Sequence, residues 1–235
     1  MRTYVITGAS SGLGKCISDE LLKRNAIDAT RVVDWSLTTG IDIRSPYAVA
    51  KAFGDLTSQG VRKVDALINC AGINHIDFLP DLEVEAWDRV MDTNAKGIFL
   101  VTQALLPLLQ AGTVLNIVSN ASHMPMTSSL AYNASKGAAE IMTRQLSREL
   151  IKTHNITVFG ISPNKLKNTG MSEYIDNKVQ ELRGWTAEEA RNYQLASLPA
   201  GEETDPVTLA EFIGFLLSTK QRHKYLAGCI IPYGL

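Results

Sequence analysis

The sequence predicts an α/β protein: a single doubly wound domain in which a mostly parallel sheet of seven strands is flanked by helices. Two observations predict this class. Strand-like apolar runs alternate with helix-like segments along all 235 residues, and no linker rich in Pro, Gly or Ser interrupts them. Residues 64–69 and 113–118 are almost continuously apolar, which is typical of strands that helices cover on both faces. One domain over residues 1–235 is therefore expected.

Local signals place the individual elements. Apolar residues recur at helical spacing over residues 13–21, which predicts an amphipathic helix that Asn25 would end. Ser45 and Pro46 have the character of an N-cap and a first-turn proline, so a further helix begins there. The predicted strands cover residues 3–7, 32–33, 40–43, 64–69, 113–118, 156–161 and 228–231.

Composition excludes several classes of function. An apolar content of 45% is enough for a buried core, and 23 basic against 24 acidic residues argues against a nucleic-acid or membrane surface. Three scattered cysteines suit reduced thiols rather than disulfides, and the four histidines form no ligand cluster, so no metal is expected. The N-terminus has no signal-peptide pattern, which favours a cytoplasmic location.

A glycine-rich turn joins the first strand to the first helix. Gly8, Gly12 and Gly14 lack a Cβ, so this backbone can turn tightly and approach a pyrophosphate at the helix N-terminus. Asp34 closes the second strand 20 residues after Gly14, where an acid that binds ribose is expected. Two alternatives stay open: a nucleophile elbow of a hydrolase built on Ser10, or a glycine turn without a ligand.

Tyr132 and Lys136 share one face of a helix that follows the fifth strand. Ligands of doubly wound sheets bind at the carboxyl ends of the strands, so this face lies where chemistry is expected. A nearby ammonium would lower the pKa of the phenol and make it a usable proton carrier. In an arbitrary protein the same spacing usually belongs to a solvated helix face, and its place in the fold favours the functional interpretation.

At this point the chain resembles the short-chain dehydrogenase/reductase family, and the resemblance spans nearly the whole sequence. The motifs that carry it are Thr7-Gly8-x-x-x-Gly12-x-Gly14, Asn69-x-Ala71-Gly72, Asn94 in Asp92-Thr93-Asn94-Ala95-Lys96-Gly97, Ser119, and Tyr132-x-x-x-Lys136. In the family a serine precedes the tyrosine by 13 residues, which identifies Ser119, with Ser122 as a weaker candidate.

The resemblance implies a catalytic role for four residues of a Rossmann domain. Tyr132 would exchange a proton with the substrate oxygen while a nicotinamide exchanges hydride with the substrate carbon. Lys136 would lower the pKa of Tyr132 and bind the nicotinamide ribose. Ser119 would orient the carbonyl group, and Asn94 would hold a water that links Lys136 to solvent. The substrate would be a secondary alcohol or a ketone.

The resemblance also implies a cofactor site and favours NAD. The carboxylate of Asp34 would repel the 2′-phosphate of NADP, and Ser11 and Trp35 occupy positions where NADP-preferring relatives carry a basic residue. In the same comparison Asp42 would contact the adenine, and Thr169 would reach the carboxamide. The predicted cofactor-binding set is Gly8, Ser10, Ser11, Gly12, Leu13, Gly14, Asp34, Asp42, Asn69, Ala71, Gly72, Tyr132, Lys136, Pro163 and Thr169.

Some features depart from the family or go beyond its motifs. Asn164 follows Pro163 where the family usually has glycine, which predicts a different loop path. Residues 165–200 would form a substrate lid, in which Lys165 and Lys167 either attract an anionic substrate or are simply solvated. The family also implies a homodimer or homotetramer. A catalytically silent dinucleotide-binding regulator or scaffold remains the alternative function.

Overall fold

The computed structural model describes residues 2–24, 29–196, 198, 200–218 and 224–234. Six parallel strands form one sheet in the order β2-β1-β3-β4-β5-β6. The strands are β1 (Arg2–Thr7), β2 (Thr30–Trp35), β3 (Ala66–Asn69), β4 (Thr113–Ile117), β5 (Thr157–Pro163) and β6 (Ile230–Tyr233). The helices are α1 (Gly12–Arg24), α2 (Pro46–Ser58), α3 (Val84–Met91), α4 (Gly97–Leu105), α5 (Leu130–Thr153), α6 (Gly170–Arg183), α7 (Ala187–Ala196) and α8 (Pro206–Ser218).

The predicted α/β class and parallel sheet are confirmed, whereas the predicted strand at residues 40–43 is wrong. A 3-10 turn over Leu37–Thr39 precedes this run, and Gly40 has a left-handed φ of 79°. The amide of Ile41 then donates to the carbonyl of Ser36 (2.8 Å). These local hydrogen bonds replace strand pairing, so within the described residues the sheet has six strands instead of seven. Asn25, the predicted end of α1, lies outside the described residues.

Side chains along each strand point alternately to the two faces of the sheet, and helices cover both faces. One face buries Val5, Leu67, Val114 and Val158 beneath residues of α2, α4 and α5. On the other face, the side chains of Tyr4, Ile6, Ile68, Leu115 and Phe159 pack against α1 and α8. Because both faces are covered, the strands need the near-continuous apolar sequence from which they were predicted.

The chain reverses its direction of travel across the sheet at β1, which lies between β2 and β3. Such a switch point opens a crevice at the carboxyl ends of the strands. The functional site is therefore expected beside Thr7 and Asn69. In the described part of the chain, no helix is long and apolar enough to cross a bilayer.

Candidate active site

A cavity of about 620 Å³ lies at the carboxyl ends of β1, β3, β4 and β5. Fourteen of the residues predicted from the sequence line it: Gly8, Ser10, Ser11, Gly12, Leu13, Gly14, Asp42, Ala71, Gly72, Ser119, Tyr132, Lys136, Pro163 and Thr169. The other three, Asp34, Asn69 and Asn94, lie beside or behind its wall. Residues far apart in the sequence are thus brought to one crevice.

Sequence reasoning missed several residues of the lining. Arg44, Ile73, Arg89, Thr93 and Met171 also border the cavity. None of the five was singled out as a ligand contact, although Thr93 lies inside the motif around Asn94. Proximity in the sequence could have suggested four of them, since Arg44, Ile73, Thr93 and Met171 each lie within two positions of a predicted residue.

The glycine turn is shaped by close backbone contacts. Gly8 has a φ of 74°, and a Cβ there would lie 3.0 Å from the Cα of Ala71. A Cβ on Gly14 would lie 2.1 Å from the carbonyl oxygen of Gly8, which no real side chain tolerates. The hydroxyl of Thr7 accepts hydrogen bonds from the amides of Cys70 (3.0 Å) and Ala71 (3.1 Å). The turn and the segment after β3 therefore form one wall, whose bare backbone fits a pyrophosphate at the start of α1.

Ser10 gives no support to a hydrolase. Its hydroxyl accepts a hydrogen bond from Thr38 (3.1 Å) and is exposed. No hydrogen bond joins Ser10 to a histidine in the described part of the chain. The nucleophile-elbow alternative lacks the base that it would need.

Asp34 is the next-to-last residue of β2 and lies beside the cavity rather than in its lining. One carboxylate oxygen accepts from the amide of Ala9 (3.0 Å), and the other accepts from the hydroxyl of Ser36 (2.9 Å). The carboxylate thus binds the backbone of the glycine turn, and its negative charge lies at the edge of the crevice.

Asp42 lines the cavity, but Arg44 engages its carboxylate. The guanidinium donates to both oxygens, at 2.9 and 2.7 Å, and this hydrogen bonding lowers the pKa of Asp42. An adenine contact by Asp42 stays a prediction, and Arg44 would share that part of the wall.

Asn69 lies behind the wall and is almost fully buried. Its amide donates to the side-chain oxygen of Asn116 (2.8 Å) and more weakly to Thr102 (3.3 Å). Asn116 in turn donates to the hydroxyl of Thr143 (2.9 Å) on α5. This chain of buried hydrogen bonds fixes the ends of β3 and β4 against α5.

Tyr132 and Lys136 occupy the first turns of α5 and point to the same side. The ammonium nitrogen of Lys136 lies 5.7 Å from the centre of the Tyr132 ring and donates to the carbonyl of Ile117 (2.9 Å). Ser119 lies two residues beyond Ile117 and caps a short 3-10 turn, where its hydroxyl accepts from the amide of Ala121 (3.2 Å). Both Tyr132 and Lys136 are buried at the cavity wall.

Burial dominates the pKa values of this pair. It raises the pKa of Tyr132 above its ordinary value, opposed by the hydroxyl of Ser119 rather than by Lys136. It lowers the pKa of Lys136 to about 8, because the ammonium loses hydration. Desolvation thus disfavours the charged forms of both residues. Among the groups of the protein itself, Ser119 rather than Lys136 opposes the rise in the pKa of Tyr132.

Asn94 lies in a π-helical segment, Asp92–Lys96, that joins α3 to α4. Such segments are frequent at functional sites. Its fully buried amide accepts from the amide of Ile73 (2.9 Å), and donates to the carbonyl of Ile73 (2.8 Å) and to Ser135 (2.9 Å). A Cβ on Gly72 would lie 3.4 Å from Asn94 and 3.6 Å from Lys136, so both polar groups flank this glycine. The proposed water relay stays a prediction.

Pro163, Asn164 and Thr169 form the far wall. Asn164 donates to the carbonyl of Gly234 (2.7 Å) and accepts from the amide of Thr204 (3.2 Å). It therefore ties the end of β6 to the segment before α8. Thr169 caps α6 through the amide of Ser172 (3.1 Å), and its methyl group would lie 3.9 Å from a Cβ on Gly12. Its carboxamide contact is not tested by this placement.

The predicted lid contains α6 and α7, although positions 197 and 199 lie outside the described residues. Lys165 pairs with Asp176 and with Glu203 (2.7 Å), and Lys167 pairs with Asp205 (3.0 Å). Carboxylates of the chain thus engage both lysines: Lys165 is largely buried, whereas Lys167 is 40% exposed, as expected for a solvated lysine. Attraction of an anionic substrate stays a prediction.

Aromatic contacts hold the other end of the lid. The Arg183 guanidinium stacks on Trp185 and Tyr193, at 4.7 and 5.3 Å from their ring centres, and donates to the hydroxyl of Thr127. Thr127 lies just before α5, so this contact joins the lid to the loop that precedes Tyr132.

Replacing Lys136 with methionine is expected to stabilise the protein at neutral pH. The pKa of Lys136 is lower in the folded protein than in the unfolded chain, so the charged ammonium reduces the free energy of unfolding. The full reduction is present below about pH 8 and disappears as the pH rises toward 10.5. It amounts to about 3 kcal/mol at pH 7 and to about 1 kcal/mol at pH 10. Urea unfolding of wild type and Lys136→Met at both pH values measures the change, with the exposed Lys23→Met as control. An equal difference at both pH values would contradict the burial argument.

Comparison with known proteins agrees with this geometry. The family model described as short chain dehydrogenase matches residues 2–180. The 2-(S)-hydroxypropyl-CoM dehydrogenase 3 of Xanthobacter autotrophicus is 31% identical over an alignment of 231 positions, which covers 91% of this chain and 88% of the relative. Sorbitol-6-phosphate 2-dehydrogenase of Klebsiella pneumoniae is 29% identical over an alignment of 254 positions, gaps included, which covers 95% of this chain and 91% of the relative.

Solved structures agree in fold. Actinorhodin polyketide ketoreductase with NADPH superposes with a TM-score of 0.83 at 23% identity, covering 98% of this chain and 95% of the other. L-sorbose reductase of Gluconobacter frateurii, complexed with NADPH and L-sorbose, has a TM-score of 0.83 at 21% identity, with coverage of 99% and 94%. These structural similarities show the fold alone, whereas the family match over residues 2–180 shows the family. The chain therefore belongs to the short-chain dehydrogenase family of oxidoreductases, which act on alcohols and ketones with a nicotinamide dinucleotide.

Proposed function

We propose that this protein prefers NAD and interconverts a secondary alcohol and a ketone, with Tyr132 as acid and base. One observation carries the proposal: Ser119, Tyr132 and Lys136 line the same cavity as the glycine turn. The groups that we propose as proton donor, carbonyl-orienting hydroxyl and pyrophosphate cradle thus lie in one crevice. This is the arrangement that coupled hydride and proton transfer requires.

The residues divide the work as follows. A nicotinamide dinucleotide bound here would supply or accept the hydride, and the positive charge of its oxidised form would favour the Tyr132 phenolate. The raised pKa of Tyr132 keeps its proton in place at neutral pH, ready for transfer to a carbonyl oxygen. Ser119 orients that oxygen by donating a hydrogen bond. Lys136 binds the ribose, and Asn94 holds the segment at Ile73 beside it.

The preference for NAD is supported by the charge of Asp34. This carboxylate lies at the end of β2, next to the glycine turn, where the adenosine ribose of a dinucleotide is expected. A 2′-phosphate there would meet a like charge. Ser11 and Trp35 supply no compensating cation.

The substrate and the assembly are proposed at a coarser level. Arg183 of the predicted lid contacts Thr127 in the loop before α5, so a small molecule bound in the cavity would be enclosed between them. We propose a homodimer or homotetramer in which α4 and α5 pair across a two-fold axis, since Phe99 and Ile141 on these helices are 46% and 63% exposed. We also propose a cytoplasmic location, where the dinucleotide is available.

Tyr132→Phe is expected to lower turnover by about 10²- to 10⁴-fold, because the ring is kept while the transferable proton is lost. A panel of secondary alcohols, diols and hydroxysteroids with NAD identifies the substrate through the absorbance of the reduced cofactor. The exposed Tyr47→Phe on α2 is the matched control and should keep wild-type turnover. Full turnover by Tyr132→Phe would refute the proton assignment, and wild type that binds NAD yet is silent on the whole panel would favour the regulator or scaffold.

NAD(H) is expected to bind at least about tenfold more tightly than NADP(H), a difference of about 1.4 kcal/mol. Asp34→Asn removes the charge and keeps an oxygen that can accept from Ala9, so it should narrow the gap mainly by improving NADP(H) binding. Isothermal titration with both cofactors measures this, with Asp55→Asn on the remote, exposed face of α2 as control. Equal affinities in the wild type would contradict the preference.

Gly14→Ala is expected to weaken binding of NAD(H) roughly 30-fold or more, about 2 kcal/mol, because the new methyl group would displace the Gly8 carbonyl. Gly54→Ala in α2 is the control, since a Cβ there meets nothing within 4 Å. Quenching of protein fluorescence by NADH reports both affinities. Unchanged binding by Gly14→Ala would show that the turn does not cradle the cofactor.

A further inference from the structure

Ser122 and Glu140 form a contact that the site described above does not use. Ser122 is the last residue of the 3-10 turn, Asn120–Ser122, that Ser119 caps. The single hydrogen of its hydroxyl is donated to a carboxylate oxygen of Glu140 (2.6 Å), and the carbonyl of Ser119 (2.7 Å) and Nδ1 of His123 (3.1 Å) lie close to the same hydroxyl oxygen. One side chain thus links the turn that holds Ser119 to a carboxylate on another element.

Glu140 lies on the helix that carries the proton donor. It is one turn beyond Lys136 and two turns beyond Tyr132, so the three side chains share a face of α5. The link from Ser122 therefore connects the Ser119 turn directly to this face. Since Ser122 does not line the cavity, its hydroxyl is free for this structural role.

The carboxylate is held in its charged form. Burial alone would raise the pKa of Glu140, but hydrogen bonds from Ser122 and Arg144 hold it below its ordinary value. Arg144 donates to the second carboxylate oxygen (2.9 Å), which leaves the first one directed at Ser122. His123 lies 4.0 Å from that same first oxygen. A hydrogen bond to a charged acceptor at this length is stronger than a neutral one.

The alternative is an ordinary surface ion pair between Glu140 and Arg144 on one helix, which would contribute little. Two features speak against that as the whole role. Glu140 is only 22% exposed, and the shorter of its two contacts crosses to the Ser119 turn rather than staying on α5.

We propose that Ser122 and Glu140 are positioning residues, which fix the hydroxyl of Ser119 relative to Tyr132 during the reaction. The proposal rests on the proposed function, since it concerns the oxygen that Ser119 and Tyr132 would both contact. It also explains why the sequence offers two serines here: Ser119 faces the cavity, and Ser122 holds the turn.

The test uses Ser122→Ala, Glu140→Ala and the double variant in the full chain. Each single change is expected to lower kcat about five- to tenfold, with the Kd for NADH within about twofold of wild type, because geometry is lost and the cofactor site is not touched. Since both changes break one contact, the double variant should lose no more than the worse single variant. Ser122→Thr keeps the hydroxyl and should restore most of the turnover.

Glu149→Ala is the matched control. Glu149 also lies on α5 and accepts a short hydrogen bond from Gln145 (2.6 Å), but that bond stays on the helix surface. It should leave kcat unchanged. Losses that multiply in the double variant, failure of Ser122→Thr to recover turnover, or unchanged kcat in Ser122→Ala would each overturn the positioning role.

Amide hydrogen exchange separates this proposal from the proposed function. The amides of Ser122 and His123 bond within the turn, to Ser119 and Asn120. They should exchange about tenfold faster in Ser122→Ala and in Glu140→Ala than in wild type or Glu149→Ala. Unchanged exchange would overturn the link even if no substrate were found. If the two variants exchange faster than wild type but wild type turns over no substrate, the link is upheld and the proposed function is what fails.

Discussion

The burial of the Lys136 ammonium is the constraint on which the rest of the site depends. An ammonium without water is costly unless its hydrogens find partners, and here the Ile117 carbonyl at the end of β4 supplies one. Gly72 lies beside it, and a Cβ there would be in van der Waals contact with both Asn94 (3.4 Å) and Lys136 (3.6 Å). Burial lowers the pKa of Lys136 to about 8, so the group remains largely charged at neutral pH but is poised to lose its proton.

Three sets of hydrogen bonds hold the backbone segments that surround this charge. Thr7 binds the segment after β3, the Asn94 amide is bonded twice to Ile73, and the chain of amides through Asn116 holds β4 to α5. Each of these hydrogen bonds joins two distant parts of the chain, although the side-chain oxygen of Asn69 is itself buried without a hydrogen-bond partner among the described residues. A buried polar network of this kind specifies one arrangement of strand ends, which is what a reaction between two positioned partners needs.

The sequence was sufficient where a residue's role follows from backbone geometry or from spacing. Glycines at fixed intervals predict a cradle, and a four-residue spacing predicts a shared helix face. The resemblance to the family supplied the rest of the fourteen cavity residues, among them Ser119, Asp42 and Thr169. It was insufficient where a side chain chooses between partners. Residues 40–43 look like a strand, yet Ser36 and Gly40 turn them. Asp42 and Lys165 look available for ligands, yet Arg44, Asp176 and Glu203 engage them. The raised pKa of Tyr132 depends on burial, which periodicity does not quantify.

The cluster around Lys165 has a consequence for the wall of the cavity. This ammonium lies where the lid begins and contacts α6 through Asp176, α7 through Gln194, and the returning segment through Glu203. Helices α6 and α7 and the segment at Glu203 are therefore all tied to one ammonium. Gly170 and Met171 at the start of α6 line the cavity, so the same ammonium also fixes this side of the cavity. The opposite end is held separately, where Arg183 meets Thr127. A change at Lys165 would thus loosen both helices and the cavity wall together, whereas a change at Arg183 would free only the far end.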